Sequence, residues 1–340
     1  MKKMTSIVLL ALLMGTLVFA GGAKESSTPG TPATFEKAKL RFGTASAEGT
    51  VIVKTMRAFA EKVSQKTSGQ VIVEVYPSSQ LGNPNEIIRS VQMGAVDMCM
   101  AQPAALASMG VKELSVLVLP YIFKSYDQRM NVLFGPIGKE LLAKISTSNL
   151  QLVGFGYFPD GARSFFTVKG KPIRSLADVK GMKLRVQPQD LDTDMAIALG
   201  ASPTPIAFAE LYAALKSGVV DGAEQPVTSY WAGKYHEVSS YLTLDEHTYN
   251  TLIILFSEIS WKKRPPQLQK ILMDSWDESV MEYKDVILKT EKEALEKITA
   301  AGIEIIRLTD REKWEEAMKP VYAKHGVGLE SWISRIQATK

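Results

Sequence analysis

Two arginines carry the most legible chemistry in this chain, Arg163 in DGARSFFTVKG and Arg185 in GMKLRVQPQ. Phe165, Phe166 and Val168 surround the first, and Leu184 and Val186 flank the second. A guanidinium in such company must find an acid partner or stay wet, because a buried unpaired charge is costly. Asp and Glu side chains could be those partners, and two surface arginines with buried stems fit the same spacing. Downstream lie the helical segment AFAELYAALKSG and the turn DGAEQP. The usual catalytic constellations are missing: no G-x-S-x-G elbow, no phosphate-cradling G-x4-G-K-[ST] loop and no H-E-x-x-H helix occurs. Gly154-Phe155-Gly156 begins like a dinucleotide fingerprint but continues Tyr-Phe-Pro, and His236, His247 and His325 lack metal-ligand spacing. These residues point away from an enzyme and imply no cofactor and no metal.

The elements that must hold these residues alternate. Leu40–Gly43 reads as a short strand, and Val53, Met56, Ala60 and Val63 mark one face of a helix that stops before Gly69. Val71–Tyr76 alternates as a strand. Asn83-Pro84-Asn85-Glu86 supplies an N-cap, a proline at the first helical position and an acid at N3, so a helix starts there and ends near Gly94. A strand over Val96–Ala101 completes a βαβαβ rhythm, which predicts a largely parallel sheet covered by helices. A second α/β unit starts at Gly161, with strands at Ser164–Val168, Met182–Val186 and Val219–Ala223 and helices at Asp190–Leu199 and Ala207–Lys216. The apolar run Leu252–Phe256 reads as a strand returning to the first sheet. After Pro265-Pro266 a helical pattern lasts to about Ala301, roughly 36 residues or ~54 Å, longer than one small domain is wide. Its apolar positions hold no strict heptad, so a helix lying across two domains suits it better than a coiled coil. GIEIIRL is a last strand and Arg311–Lys324 a last amphipathic helix.

Composition bounds the rest. A chain of 340 residues, 46% hydrophobic and 22% charged, has room for two domains. Lys2 and Lys3, the apolar run Ile7–Phe19 and the end Val18-Phe19-Ala20 read as a secretory signal peptide over residues 1–23. That run is too short to span a bilayer, and no Cys stands nearby to carry a lipid. Residues 24–34 read as a flexible leader. Loss of Lys2 and Lys3 lowers the net charge from +4 to +2, and no basic cluster points to nucleic acid. Cys99, the single cysteine, reads as a small buried hydrophobe.

The succession GAR…K…I.SLADVKGMKLRV…LGASPTPIAFAELYAALKSGVVDGAEQP resembles the solute-binding protein of a tripartite ATP-independent periplasmic (TRAP) transporter. FAEKVSQKTSGQVIVEVYPSSQLGNPNEIIRSVQMGAVDM and LVLPYIF upstream are similar to the same family, so the resemblance runs from about Leu40 to Lys319. It implies an α/β, two-domain periplasmic binding protein of type II-like architecture, with hinge strands and a long domain-spanning helix. Residues 35–160 with 251–290 would form domain I, and 161–250 with 291–340 domain II. The resemblance further implies a periplasmic receptor, acting as a monomer, that hands a small organic acid to the membrane subunits of a TRAP transporter. Arg185, in Lys183-Leu184-Arg185-Val186, matches the carboxylate-binding arginine, and Arg163 matches a second position that helps hold acidic ligands. Gln225 stands where the family often has a ligand-contacting Asn, and Gln102 where it has a polar contact. Gln187, Phe208, His247 and Glu48 complete the candidate set. The amides with one carboxylate clamp favour a sugar acid, a hexuronate or aldonate, over a C4 dicarboxylate. A sensor input domain or a periplasmic enzyme is the remote alternative.

Overall fold

The computed structural model describes residues 35–340, and the signal peptide and leader expected over residues 1–34 lie outside the described residues. Strand β1 (Ala38–Gly43), helix α1 (Val51–Lys66), β2 (Val71–Tyr76), α2 (Pro84–Gln92) and β3 (Met98–Ala101) follow the predicted alternation. β2 and β3 both pair with β1 in parallel. The start of α2 is set by Asn83, whose Oδ1 accepts from the amides of Asn85 (3.0 Å) and Glu86 (3.1 Å). Glu86 returns the bond, accepting from the Asn83 amide at 2.9 Å, so three amides at the open start of the helix are satisfied.

Helices α3 (Pro103–Ser108), α4 (Tyr126–Phe134) and α5 (Pro136–Ser146) lead into β4 (Leu152–Thr167). Then come β5 (Lys183–Val186), α6 (Asp190–Ala198), β6 (Ser202–Pro205), α7 (Leu211–Lys216), β7 (Gly222–Pro226) and α8 (Val227–Ala232). β8 (Tyr241–Ser257), α9 (Glu258–Trp261), α10 (Pro266–Ala300), β9 (Glu304–Arg307), α11 (Arg311–Ala317), α12 (Lys319–His325) and α13 (Glu330–Ala338) complete the chain.

The strands form one nine-stranded sheet in the order β2-β1-β3-β8-β4-β7-β5-β6, with β9 also on β8. The two α/β units expected from the sequence thus share one sheet. β4 and β8 are 16 and 17 residues long and antiparallel, and they run through both halves. Ile253–Phe256 of β8 pairs with β3, the anticipated return, while Tyr241–Leu244 at its other end pairs with β9. Three irregularities interrupt the β4–β8 ladder. The largest lies between the pairs Arg163–Thr248 and Phe165–Thr243, where Leu244–His247 of β8 bulge out opposite Ser164 alone. Glu246 in this bulge has a φ of 49°, left-handed backbone that few non-glycine residues adopt.

α10 spans 35 residues and touches α1 on one side of the molecule and α8 on the other, as its length predicts. Ion pairs Lys62–Glu282 and Lys66–Glu278 join it to α1. Trp276, fully buried, donates from Nε1 to the Tyr157 carbonyl at 2.9 Å. Its ring passes so close to β4 that a Cβ at Gly156 would lie 2.5 Å from Trp276 Cδ1, so only glycine fits there. Phe42, Phe59, Trp276 and Phe155 pack edge to face into the core of this half.

Some boundaries move. The strand expected at Val219–Ala223 runs instead over Gly222–Pro226, and Val219 is exposed. The helix expected over Ala207–Lys216 opens with a 3-10 turn at Phe208–Glu210 before α7. The helix expected over Arg311–Lys324 divides at Met318, because Pro320 in the first turn of α12 has no N–H to continue the ladder.

Candidate functional site

The β8 bulge gathers charge beneath the middle of the sheet. Arg163 on β4 donates from Nε and Nη2 to the two oxygens of Glu224 on β7 (Nη2–Oε1 2.8 Å), a planar fork on a carboxylate. His247, in the bulge, lies 3.6 Å from Glu224 Oε2 through Nε2 and 2.7 Å from Asp245 Oδ2 through Nδ1. All four are buried, and Phe165 stacks on the imidazole at 4.8 Å. Burial opposes ionisation of Glu224, but Arg163 and His247 outweigh it and hold the carboxyl down at about 2. Burial likewise opposes the charged imidazole, and Asp245 with Glu224 overcomes it, so His247 is pushed up to about 9. The cluster is an alternating row of charges, each neutralised by the next.

Above it lies a narrow cleft. Gln102 and Arg163 line it with Gln187 and Asp192 from the β5–α6 segment and Tyr249 and Asn250 from β8. Gln102 Nε2 donates to Asn250 Oδ1 at 3.2 Å, and Asn250 Nδ2 donates to Asp160 at 2.9 Å. Gln187 Nε2 donates to Asp192 Oδ2 at 3.2 Å. Burial, reinforced by Glu224, pushes the Asp192 carboxyl up to about 6 against the pull of Arg163. Behind the wall, the fully buried Arg129 of α4 is sandwiched 4.8 Å from the rings of both Tyr126 and Tyr249, and its Nη1 reaches the Asn250 carbonyl at 3.2 Å.

Arg185 is 1% exposed and donates from Nε to the Ile206 carbonyl at 2.8 Å. Among the described residues its Nη1 is buried without a hydrogen-bond partner. Burial lowers its affinity for the proton, Glu224 offsets this only in part, and Arg163 adds repulsion. It is a buried cation with one terminal nitrogen unused, and it lies outside the residues that line the cleft.

Of the other candidates, Gln102, Gln187 and Arg163 line the cleft, whereas His247 sits beneath it. Gln225 is buried and, by the alternation of β7, lies on the strand face opposite Glu224. Phe208 is 59% exposed on its 3-10 turn. Glu48 pairs at the surface with Arg57 (2.6 Å) and does not line the cleft. Glu224, Asp192, Asn250 and Arg129 were not singled out from sequence. An acid beside the candidate Gln225 and buried arginines wanting partners were the signals for Glu224; Asp192 looks like any first-turn helix acid.

Residues 42–327 match the family described as bacterial extracellular solute-binding proteins, family 7 (DctP). The chain belongs to this family. The C4-dicarboxylate-binding periplasmic protein DctP of Rhodobacter capsulatus is 33% identical over 314 residues, 91% of this chain and 92% of that one. Among solved structures, a TRAP periplasmic solute-binding protein of Pseudomonas putida F1 with bound D-glucuronate is 29% identical, with a TM-score of 0.84 over 89% of this chain and 98% of that one. Another, from a Bradyrhizobium species in complex with α/β-D-galacturonate, is 32% identical, with a TM-score of 0.83 over 89% of this chain and all (100%) of that one.

As a family 7 protein the chain is a TRAP solute receptor and not an enzyme, and its fold is the mixed α/β, two-domain architecture of these receptors. Among the described residues no helix is long and apolar enough to cross a membrane, and no group of three or more His, Cys, Asp or Glu could hold a metal ion.

Proposed function

We propose that this receptor captures a sugar acid of the hexuronate class, with the ligand carboxylate on Arg185. The buried, unpartnered Nη1 of Arg185 carries this reading. Arg163 supports it by contrast: Glu224 takes two of its nitrogens, so of the two candidate arginines Arg185 is the one not already paired with a carboxylate among the described residues. The amides of Gln102, Gln187 and Asn250 around the cleft suit hydroxyl groups. Arg163 and His247 hold the floor beneath the ligand. D-glucuronate and D-galacturonate bound to receptors of 29% and 32% identity agree with this class. The second reading is a C4 dicarboxylate, favoured by the dicarboxylate-binding relative at 33% identity.

The mature protein, freed of residues 1–23 and led by 24–34, works in the periplasm as a monomer. Domain I (35–160 with 251–290) and domain II (161–250 with 291–340) close about the irregular middle of β4 and β8. The closed form docks on the membrane subunits. A thermal-shift panel of hexuronates, aldonates and C4 dicarboxylates tests the class. A ligand at a hundredfold excess over its Kd adds about 2.7 kcal/mol to the native state, so hexuronates should raise Tm by several degrees. A panel in which only dicarboxylates do so moves the assignment to the second reading. Small-angle scattering with the best acid should show a smaller radius of gyration, and superimposable curves would rule out closure.

A further inference from the structure

Asp192 is a carboxylate lining the same cleft as Arg163, where the reading above places an acidic ligand. It projects from the first turn of α6 into the wall, half-buried, beside Arg163 and Gln187. Among the described residues no Lys, Arg or His nitrogen lies within salt-bridge distance of it, and its one side-chain bond is accepted from Gln187 at 3.2 Å. The charged groups that face it are Glu224 on β7, Arg163 on β4, His247 on β8 and Arg185 on β5. Arg163 and His247 are neutralised in turn by Glu224 and Asp245, so the positive charge left over is that of Arg185.

Building on the sugar-acid reading, we infer that Asp192 is the residue that makes this receptor reject a second carboxylate. Once a ligand carboxylate is on Arg185, the far end of the ligand meets Asp192. An ionised carboxylate only accepts hydrogen bonds, so it welcomes hydroxyl groups, each of which donates one. A carboxylate at the same point is a like charge with nothing to donate, and the guanidinium that could compensate is already forked on Glu224. Asp192 therefore separates a uronate from the aldarate that has the same carbon chain and hydroxyls but an acid at both ends, and from shorter dicarboxylates.

The test is calorimetry of the full mature chain with D-galacturonate, galactarate and succinate, for wild type, Asp192→Asn and Asp192→Ala, each first shown to melt as wild type does without ligand. Wild type should bind galacturonate at least about tenfold tighter than galactarate, like-charge contact being worth that much or more. Asp192→Asn should narrow the ratio about tenfold, and Asp192→Ala should do the same. Wild type supplies a control that needs no mutation. Between pH 7.5 and 5 Asp192, at about 6, takes up a proton while His247, at about 9, and Glu224, at about 2, keep their charges. The ratio should narrow over that range in wild type and stay flat in Asp192→Asn. If wild type binds galacturonate but the ratio stays within threefold in every variant and at every pH, the role of Asp192 is refuted and the receptor reading stands. Equal wild-type affinity for galactarate and galacturonate also refutes it. Absence of binding to any of the three acids defeats the sugar-acid reading itself.

Discussion

His247 shows how far neighbours can move one residue. Alone in an apolar core an imidazole would be neutral, but between Asp245 and Glu224 it is held charged, up to about 9. A folded-state value above the ordinary 6.5 means that its contribution to stability is complete below 6.5 and is lost as pH rises through about 9. Glu224 has the opposite sign: held at about 2, it contributes above its ordinary 4.5 and is lost only as pH falls towards 2. Glu291 on α10, pushed up to about 7 by burial and by Glu246 and Asp160, is half titrated at pH 7 and loses the rest of its contribution by about pH 8. The interval from pH 8 to 9 therefore reads His247. The melting temperature of the ligand-free protein should fall across it, and His247→Gln, less stable at pH 7, should flatten that limb. An equally steep fall in the variant would mean that the imidazole is not the group responsible. Arg163 and Arg185 are legible as candidates because a guanidinium is unusual in an apolar stretch, and His247, among polar neighbours, only through the family resemblance. That Glu224 occupies Arg163 was not, since the two stand far apart in sequence and meet only through the β4–β7 register.

At the scale of elements, what the sequence declares is what local chemistry decides. The capping box at Asn83, the parallel strands around β1 and the unbroken α10 all follow from patterns within a few residues, and all are present. The four-residue bulge of β8 depends on which strand lies opposite, so no local pattern announces it, although it delivers both Asp245 and His247 to the site. Nor could alternation reveal that β4 and β8 run through both halves of the sheet, because each was read as a short strand. Gly156 marks where β4 meets α10. Gly156→Ala would set a methyl 2.5 Å from Trp276 Cδ1 and push the ring off the bond its Nε1 makes to Tyr157. Overpacking of this kind costs about 1–3 kcal/mol, so the melting temperature should drop by roughly 2–5 °C while the Kd for the acid changes less than threefold. An unchanged melting temperature would show that the contact is not tight.

Over the whole molecule, the sheet brings together groups from distant stretches: Gln102 after β3, Arg163 on β4, Arg185 on β5, Glu224 on β7 and His247 on β8. The account makes one of these, Arg185, the anchor of the ligand, with the rest shaping or neutralising the space around it. Calorimetry of wild type, Arg185→Lys and Arg185→Ala with D-galacturonate tests this most directly, once each variant melts normally without ligand. Lysine keeps the charge but not the planar fork, and a hydrogen bond to a charged group is worth ~1.5–3 kcal/mol, so affinity should fall roughly tenfold to a hundredfold. Alanine leaves the ligand carboxylate buried without its partner and should cost about 3–5 kcal/mol, enough to abolish measurable binding of a micromolar ligand. A correctly folded Arg185→Ala that binds within threefold of wild type would contradict the account.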